Sequence, residues 1–148
     1  MPYVRLSDTK SSGTAGTTYN SGDWRTITLN TEEQDAEGVC SLSGNQFTLT
    51  AGKYAARIFT TVENATNSVT LRIRNTTDAA TALKWPSYHQ HISGAGIWGL
   101  PPAPEGQFTI GAGKALELQI RVSANFTQGA RSDGESEIYW TLELVKLD

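Results

Sequence analysis

The sequence has little of several things, and each shortage excludes a class of protein. Cys40 is the only cysteine among 148 residues, so the chain holds no internal disulfide. No apolar run approaches the roughly 20 residues that cross a bilayer as a helix, and the opening residues lack the apolar segment of a secretion signal. Twelve Lys and Arg against 15 Asp and Glu give a net charge of -3, without the basic excess of nucleic-acid binders. We therefore expect a protein made in a reducing cytoplasm that binds neither nucleic acid nor membrane.

Patterns that carry catalysis are also scarce. Residues 94–99 match the dinucleotide pattern G-x-G-x-x-G, but Pro101 and Pro102 follow, where that motif requires the first turns of a helix. Residues 111–115 lack the first glycine and the Ser or Thr of a phosphate loop. No histidine lies near Cys40 in the sequence, and no serine occupies a nucleophile elbow. We expect no enzyme activity, no catalytic residues and no cofactor.

Two groups of residues offer metal-ligand chemistry without completing a site. His89 and His91 would project to one side of a strand, but nothing nearby supplies a third ligand of the type that zinc prefers. Asp133, Glu135 and Glu137 alternate along the sequence, whereas calcium needs several oxygens that converge from a loop. Ordinary surface or interface histidines and a solvated strand face are the alternatives. The sequence predicts no metal site and leaves the two groups open.

What the sequence does have is apolar alternation with a period of two. In "ALELQIRV" at 115–122 the apolar residues alternate strictly with Glu117, Gln119 and Arg121. Such alternation is typical of half-buried antiparallel strands, and no window shows a helical period. The predicted inner rows are Tyr54, Ala56, Ile58 and Val62; Val69, Leu71 and Ile73; Leu116, Leu118, Ile120 and Val122; and Ile138, Trp140, Leu142 and Leu144. Short strands bounded by Gly and Asn indicate an all-β antiparallel two-sheet sandwich or jelly roll.

One short pattern occurs twice, as "NQFTLTAGK" at 45–53 and "GQFTIGAGK" at 106–114. In each copy a Phe-Thr-Leu or Phe-Thr-Ile strand runs into Ala-Gly-Lys, and a further alternating strand follows at once. Glycine at such a position permits a positive φ or a close backbone approach. The repeat therefore predicts two similar strand–turn–strand corners within one sandwich, rather than a solenoid of repeated units.

The N-terminal residues differ in composition from the rest. Residues 7–23 hold almost no large apolar side chain, so alone they cannot offset the entropy lost on ordering. We expect residues 1–23 to form an extended arm that docks on a partner, and residues 24–148 to form a single jelly-roll domain.

The stretch between the strands, at 84–106, is rich in aromatic residues, glycine and proline. Tyr and Trp are over-represented in protein interfaces, and both also stack on sugar rings. Its candidate contacts with a partner or a glycan are Trp85, Tyr88, His89, His91 and Trp98. In an alternative interpretation, these side chains cap the sandwich or line a contact between copies.

The strand pattern supports a family resemblance. The segments "AGKY", "GQFTIGAGKALELQI" and "SEIYWTLELVKL" together resemble the jelly roll of the tumour necrosis factor and complement globular-head superfamily. The opening "SDTKSSGTAG…WRTITLNTEEQDAEGVCSLSGNQFTLTAGKY" is similar to short virion proteins of tailed bacteriophages. The resemblance covers nearly the whole chain, except residues 84–105. It implies a jelly-roll fold and a homotrimer.

The same resemblance implies a non-enzymatic virion protein, exposed on the virion surface after synthesis in the host cytoplasm. Two roles fit. As a capsid decoration (cement) protein the chain would stabilise the head through the major capsid protein. As a tail-fibre or receptor-binding head it would join tail proteins and recognise a host surface glycan. The sequence shows neither a fibre shaft nor a coiled coil, which favours decoration.

Overall fold

A computed structural model of the chain describes residues 1–60, 67–86, 88–90, 105–130 and 132–148. The described secondary structure consists of β-strands. They are β1 Tyr3–Lys10, β2 Thr18–Tyr19, β3 Arg25–Thr26, β4 Thr31–Asp35, β5 Cys40–Ser43, β6 Gln46–Leu49, β7 Gly52–Thr60, β8 Asn67–Asn75, β9 Ala80–Lys84, β10 Tyr88–Gln90, β11 Glu105–Ile110, β12 Ala115–Val122, β13 Phe126–Thr127 and β14 Glu137–Lys146. Nowhere in the described ranges does a helix occur that could cross a membrane.

Two antiparallel sheets form the body of the protein. The five-stranded sheet has the order β11-β7-β14-β1-β4. The seven-stranded sheet has the order β10-β8-β12-β6-β5, with β9 also paired to β8 and β3 to β12. Strands β2 and β13 form a small separate pair. The prediction of an all-β, two-sheet jelly-roll domain is confirmed.

The two copies of the repeated pattern, at 45–53 and 106–114, form two corners at which the chain crosses between the sheets. The first corner passes from β6 in the seven-stranded sheet to β7 in the five-stranded sheet, and the second returns from β11 to β12. The first strand of each corner pairs with the second strand of the other: β6 with β12, and β7 with β11. Phe47 and Phe108, which occupy the same place in the two copies, are both buried in the core. The repeated sequence therefore marks two opposite crossovers of one sandwich.

The predicted inner rows fill the space between the sheets. Except for Ile138, and for Val62, which lies outside the described residues, every member of those rows is at most 2% exposed. Burial of this apolar surface is the main favourable contribution to folding. The period-two interpretation is confirmed for four strands.

The exception lies at the start of β14. Ile138 is 44% exposed and Tyr139 is buried, which is the reverse of the prediction. The pairing of β14 with β1 shifts register here, because Asp8 lies opposite Trp140 and Thr9 lies opposite Ile138. A β-bulge of this kind inserts one extra residue and reverses the alternation beyond it.

The structure also corrects the prediction of an N-terminal arm over residues 1–23. Strand β1 lies inside the five-stranded sheet, paired with β14 on one side and β4 on the other. Val4 and Leu6 are buried in the core, and so is Tyr19 of β2. The prediction failed because residues 7–23 are mostly polar, yet polar residues here can be buried: Asp8 is fully buried, and Lys10 pairs with it at 3.0 Å. The ordering of these residues is stabilised within the domain itself.

Candidate functional site

The candidate residues of the aromatic stretch are placed differently from one another. Trp85 is 2% exposed and packs in the core, and its backbone N–H donates to the carbonyl of Leu71 at 3.0 Å. A buried indole does not reach a glycan, so Trp85 is a core residue rather than a contact. Tyr88 and His89 lie in β10, at the edge of the seven-stranded sheet. His91 and Trp98 lie outside the described residues.

The acidic candidates near the C-terminus do not come together. Asp133 and Glu135 are exposed, whereas Glu137 is only 6% exposed. One carboxylate oxygen of Glu137 accepts hydrogen bonds from the backbone N–H groups of Gly13 at 3.2 Å and Ser132 at 3.0 Å. Glu137 therefore ties two loops together. Among the residues that the structure describes, no group of three His, Cys, Asp or Glu could hold a metal ion.

Cys40 lies in a shallow cleft between β5 and the second corner, close to Gly113. Burial, together with the charges of Glu32 and Asp35, raises the pKa of the Cys40 thiol to about 12. Because the thiolate is the reactive form, Cys40 is protonated and unreactive at neutral pH.

The outer face of the five-stranded sheet carries exposed apolar side chains. Apart from Met1, the large apolar residues exposed in the described part of the chain are Phe59 at 37%, Ile138 at 44% and Leu147 at 36%. Phe59 alternates with the buried Ile58, and Ile138 points outward because of the bulge. Leu147 continues the outward row of β14 beyond Val145. We call this surface the outer face of the five-stranded sheet.

A row of alternating charges crosses the same face. Glu105 lies 3.5 Å from Arg57, Arg57 lies opposite Glu143, and Glu143 lies opposite Arg5. The row ends on β4, where Glu33 lies 3.2 Å from Arg5. One residue from each of the five strands takes part, and the signs alternate from edge to edge. The row holds three acids and two arginines, and each arginine lies between two acids, so protein can cover the row without burying an unpaired arginine.

This charge row was missing from the sequence prediction. Its members are far apart in the chain, and each looks like an ordinary solvent-facing residue of its own strand. Their alignment depends on the pairing register of β1, β7, β11 and β14, which local alternation does not specify. A signal was nevertheless present for two of the five residues, because Arg57 and Glu143 fall on outward positions of predicted strands, whereas Glu105 lies in the stretch at 84–106 for which no strand was predicted.

On the seven-stranded sheet, Glu117 is the centre of a hydrogen-bond network. Its two carboxylate oxygens accept from Gln46 at 3.0 Å, from Gln119 at 2.9 Å and from the hydroxyl of Thr26 at 2.9 Å. Partial burial raises the pKa of this carboxyl, but the three hydrogen bonds outweigh that effect and the pKa is lowered. Glu117 therefore stays ionised and links β3, β6 and β12.

No protein-family model and no curated protein sequence matches the chain. Solved structures do match over nearly its full length. Murine APRIL superposes with a TM-score of 0.59 at 10% identity, covering 99% of this chain and 98% of that one. The globular domain of zebrafish complement 1qA gives 0.55 at 13% identity, covering 100% and 98%. Eiger TNF from S. frugiperda gives 0.55 at 9% identity, covering 100% and 94%. The resemblance to the tumour necrosis factor and complement heads is confirmed for the fold.

Proposed function

We propose that this chain is a non-enzymatic structural head that assembles into a homotrimer through the outer face of the five-stranded sheet. More specifically, the chain is a capsid decoration protein that stabilises the head of a tailed bacteriophage. The assembly is supported by the exposed large apolar side chains Phe59, Ile138 and Leu147, which all lie on this face. The fold shared with tumour necrosis factor and complement heads supports a structural or receptor-binding role.

The energetics of that face favour association with copies of itself. Each of its three exposed apolar side chains would contribute roughly 1 kcal/mol if covered, since each is already more than half buried. The alternating charges from Glu105 to Glu33 contribute little to affinity at the surface, but they select one alignment, because a shifted copy would place like charges together. On this face the apolar side chains thus supply the affinity between copies, and the charges fix how the copies are aligned.

The virion part of the proposal rests on the resemblance of the opening residues to short tailed-phage proteins. Its partner would be the major capsid protein. The alternative is a tail-fibre head that joins tail proteins and binds a host surface glycan through Tyr88, His89, His91 and Trp98. Both alternatives share the trimeric head, so the assembly test below applies to either.

The assembly is tested by the mass of the purified protein in solution. Sedimentation or light scattering should give about three times the 16.0 kDa of the chain. Ile138→Glu should dissociate the trimer without unfolding the subunit, because the exposed side chain makes a small contribution to the core but would bury a charge in the contact.

Ser41→Glu is the matched control, because it adds the same charge at an exposed position of β5 in the other sheet. It should leave the mass unchanged. A stable monomer of the wild-type chain at micromolar concentration would refute the assembly. A trimer that Ile138→Glu leaves intact would move the contact to another face.

A further inference from the structure

The positive charges that lack an ionic partner are concentrated on one surface. In the described ranges, ion pairs hold Arg5, Lys10, Arg57 and Lys114. The described cations with no carboxylate within 4 Å are Arg25, Lys53, Arg72, Arg74, Lys84, Arg121 and Lys146. Four of these seven lie on outward positions of β8, β9 and β12, on the outer face of the seven-stranded sheet: Arg72, Arg74, Lys84 and Arg121.

Arg72 is held in place before any ligand arrives. Its Nε donates to Oε1 of Gln119 at 2.8 Å, and its guanidinium carbon lies 4.0 Å from the ring centre of Trp24. These two contacts fix the plane of the guanidinium and leave its two terminal nitrogens without an acceptor among the described residues. A planar arginine fork matches the paired oxygens of a carboxylate or a sulfate group.

Two further cations, Arg74 and Lys84, lie on the sheet next to Arg72. Arg74 lies two residues along β8, so its side chain leaves the same side of the sheet. Lys84 of β9 lies directly opposite Arg72. Partial burial and the neighbouring charge of Arg74 lower the pKa of Arg72, as expected where cations are close together without a counter-ion.

Among the described residues, the carboxylate that lies opposite the cluster in the sheet is engaged by other partners. Glu117 lies opposite Arg74 in the register of β8 and β12, yet its oxygens accept from Gln46, Gln119 and Thr26. Neutral donors thus surround the acid, while the guanidinium groups remain uncompensated. The local excess of positive charge therefore favours binding of an external anion.

We propose that Arg72, Arg74 and Lys84 form a binding site for the carboxylate or sulfate groups of an acidic polysaccharide. The placement of the cluster favours a polysaccharide over a peptide. An extended peptide binds a sheet mainly through backbone hydrogen bonds at a free edge. Strand β8, which carries both arginines, is paired with β12 on one side and with β9 and β10 on the other, so the arginines have no free strand edge beside them. A charged polymer needs only the side chains of this face. The site does not depend on the oligomeric state proposed above.

The experiment measures binding of the full chain to immobilised polymers at low ionic strength. The probes are polygalacturonate, which carries carboxylates, dextran sulfate, uncharged dextran and poly-L-glutamate. The chain should bind polygalacturonate, dextran sulfate or both, but not dextran, and which of the two acidic probes binds identifies the anion. Because the net charge is -3, the molecule as a whole repels these polymers, so binding requires a local site.

Matched variants connect the binding to the cluster. Arg72→Gln with Arg74→Gln should weaken binding by about tenfold or more, the loss expected for charge-assisted hydrogen bonds. Lys53→Gln with Lys146→Gln removes two charges at unpaired lysines outside the cluster and should have no effect. Arg72→Lys keeps the charge but removes the fork, so it should lose much of the affinity while the fold stays intact.

Three results would overturn the proposal. One is no binding to either acidic polysaccharide at low ionic strength. Another is an equal loss of binding in the lysine pair and the arginine pair, which would indicate non-specific charge. The third is equally tight binding of poly-L-glutamate through the same arginines, which would assign the site to an acidic polypeptide instead.

Discussion

At the residue scale, several carboxylates of this protein serve as structural acceptors. Asp35 accepts from the backbone N–H groups of Val39 at 2.9 Å and Cys40 at 2.8 Å, and so closes the connection between β4 and β5. Glu137 joins two loops in the same way. In the sequence both belong to acidic runs that are typical of solvated surfaces. Their role depends on which backbone groups the fold brings beside them, and residue type alone does not reveal this.

Glu117 gives a pH-dependent prediction. Its pKa in the folded protein is lowered from the ordinary value of 4.5, so its contribution to stability is present above that value and is lost as the pH falls below it. Glu117→Gln should lower the free energy of unfolding by roughly 1 kcal/mol at pH 7. The difference from wild type should shrink as the pH is lowered below about 4.5, as measured by chemical denaturation.

Glu135→Gln, at an exposed position, is the control and should follow wild type at both pH values. If Glu117→Gln has the same deficit at acidic as at neutral pH, the ionised carboxylate is not the source of the stability.

At the element scale, the two corners share a sequence but use their glycines differently. Gly113 has a φ of +71°, and a methyl group placed there would meet nothing within 4 Å. Gly52 lies against the end of the chain, where such a methyl group would come within 2.6 Å of Lys146 and of Asp148. Both corners therefore need glycine for their backbone conformation, since Gly52 has a φ of +155°, and the first corner needs it for a close approach as well.

Substitution of Gly113 should show the effect of backbone strain on stability without an effect of steric clash. Gly113→Ala should lower the free energy of unfolding by about 1–2 kcal/mol, because an L-residue is strained in the left-handed region and no clash contributes. Gly113→Asn should recover part of this loss, since asparagine tolerates that region better. Thermal or chemical denaturation checks both. Equal losses for alanine and asparagine would point to a cause other than backbone strain.

Strand β1 gives a second prediction at this scale. A chain shortened to begin at Trp24 should fail to fold, because removal of β1 would expose the edges of both β14 and β4 and would take Val4, Leu6 and Tyr19 from the core. Circular dichroism and one-dimensional NMR of the shortened chain test this. A folded, dispersed spectrum would restore the interpretation of residues 1–23 as a separable arm.

At the scale of the whole molecule, the sequence predicted the features that depend on the order of residues within one strand. It missed the features that depend on pairing between strands far apart in the chain. Leu116, Leu118 and Ile120 could be assigned to the core because alternation along one strand is enough. The exposure of Ile138 could not be predicted, because the bulge exists only where β14 meets β1. The same holds for the Arg72 cluster, since Lys84 and Trp24 reach it from other parts of the chain.

The virion role makes a prediction about location. Antibodies raised against the chain should label phage heads under immunogold staining, and cryo-electron microscopy should show a trimeric density at the junctions between capsid subunits. Disrupted assembly in Ile138→Glu should abolish this labelling, whereas Ser41→Glu should retain it. Labelling of tails would transfer the assignment to the receptor-binding alternative, and absence from the virion would refute both roles.

The position of β14 has a consequence for how the protein is made. This last strand lies in the middle of the five-stranded sheet, between β7 and β1. While the ribosome is still synthesising residues 137–146, the pairs β11–β7 and β1–β4 have no strand to join them, and the two flanks of the core stay apart. Folding of this sheet therefore cannot be completed before β14 emerges, and the nascent chain carries two open strand edges until then. In a cell that makes many copies at once, the same edges could pair between chains, so the time needed to synthesise the chain from β1 to β14 sets how long each copy is open to aggregation.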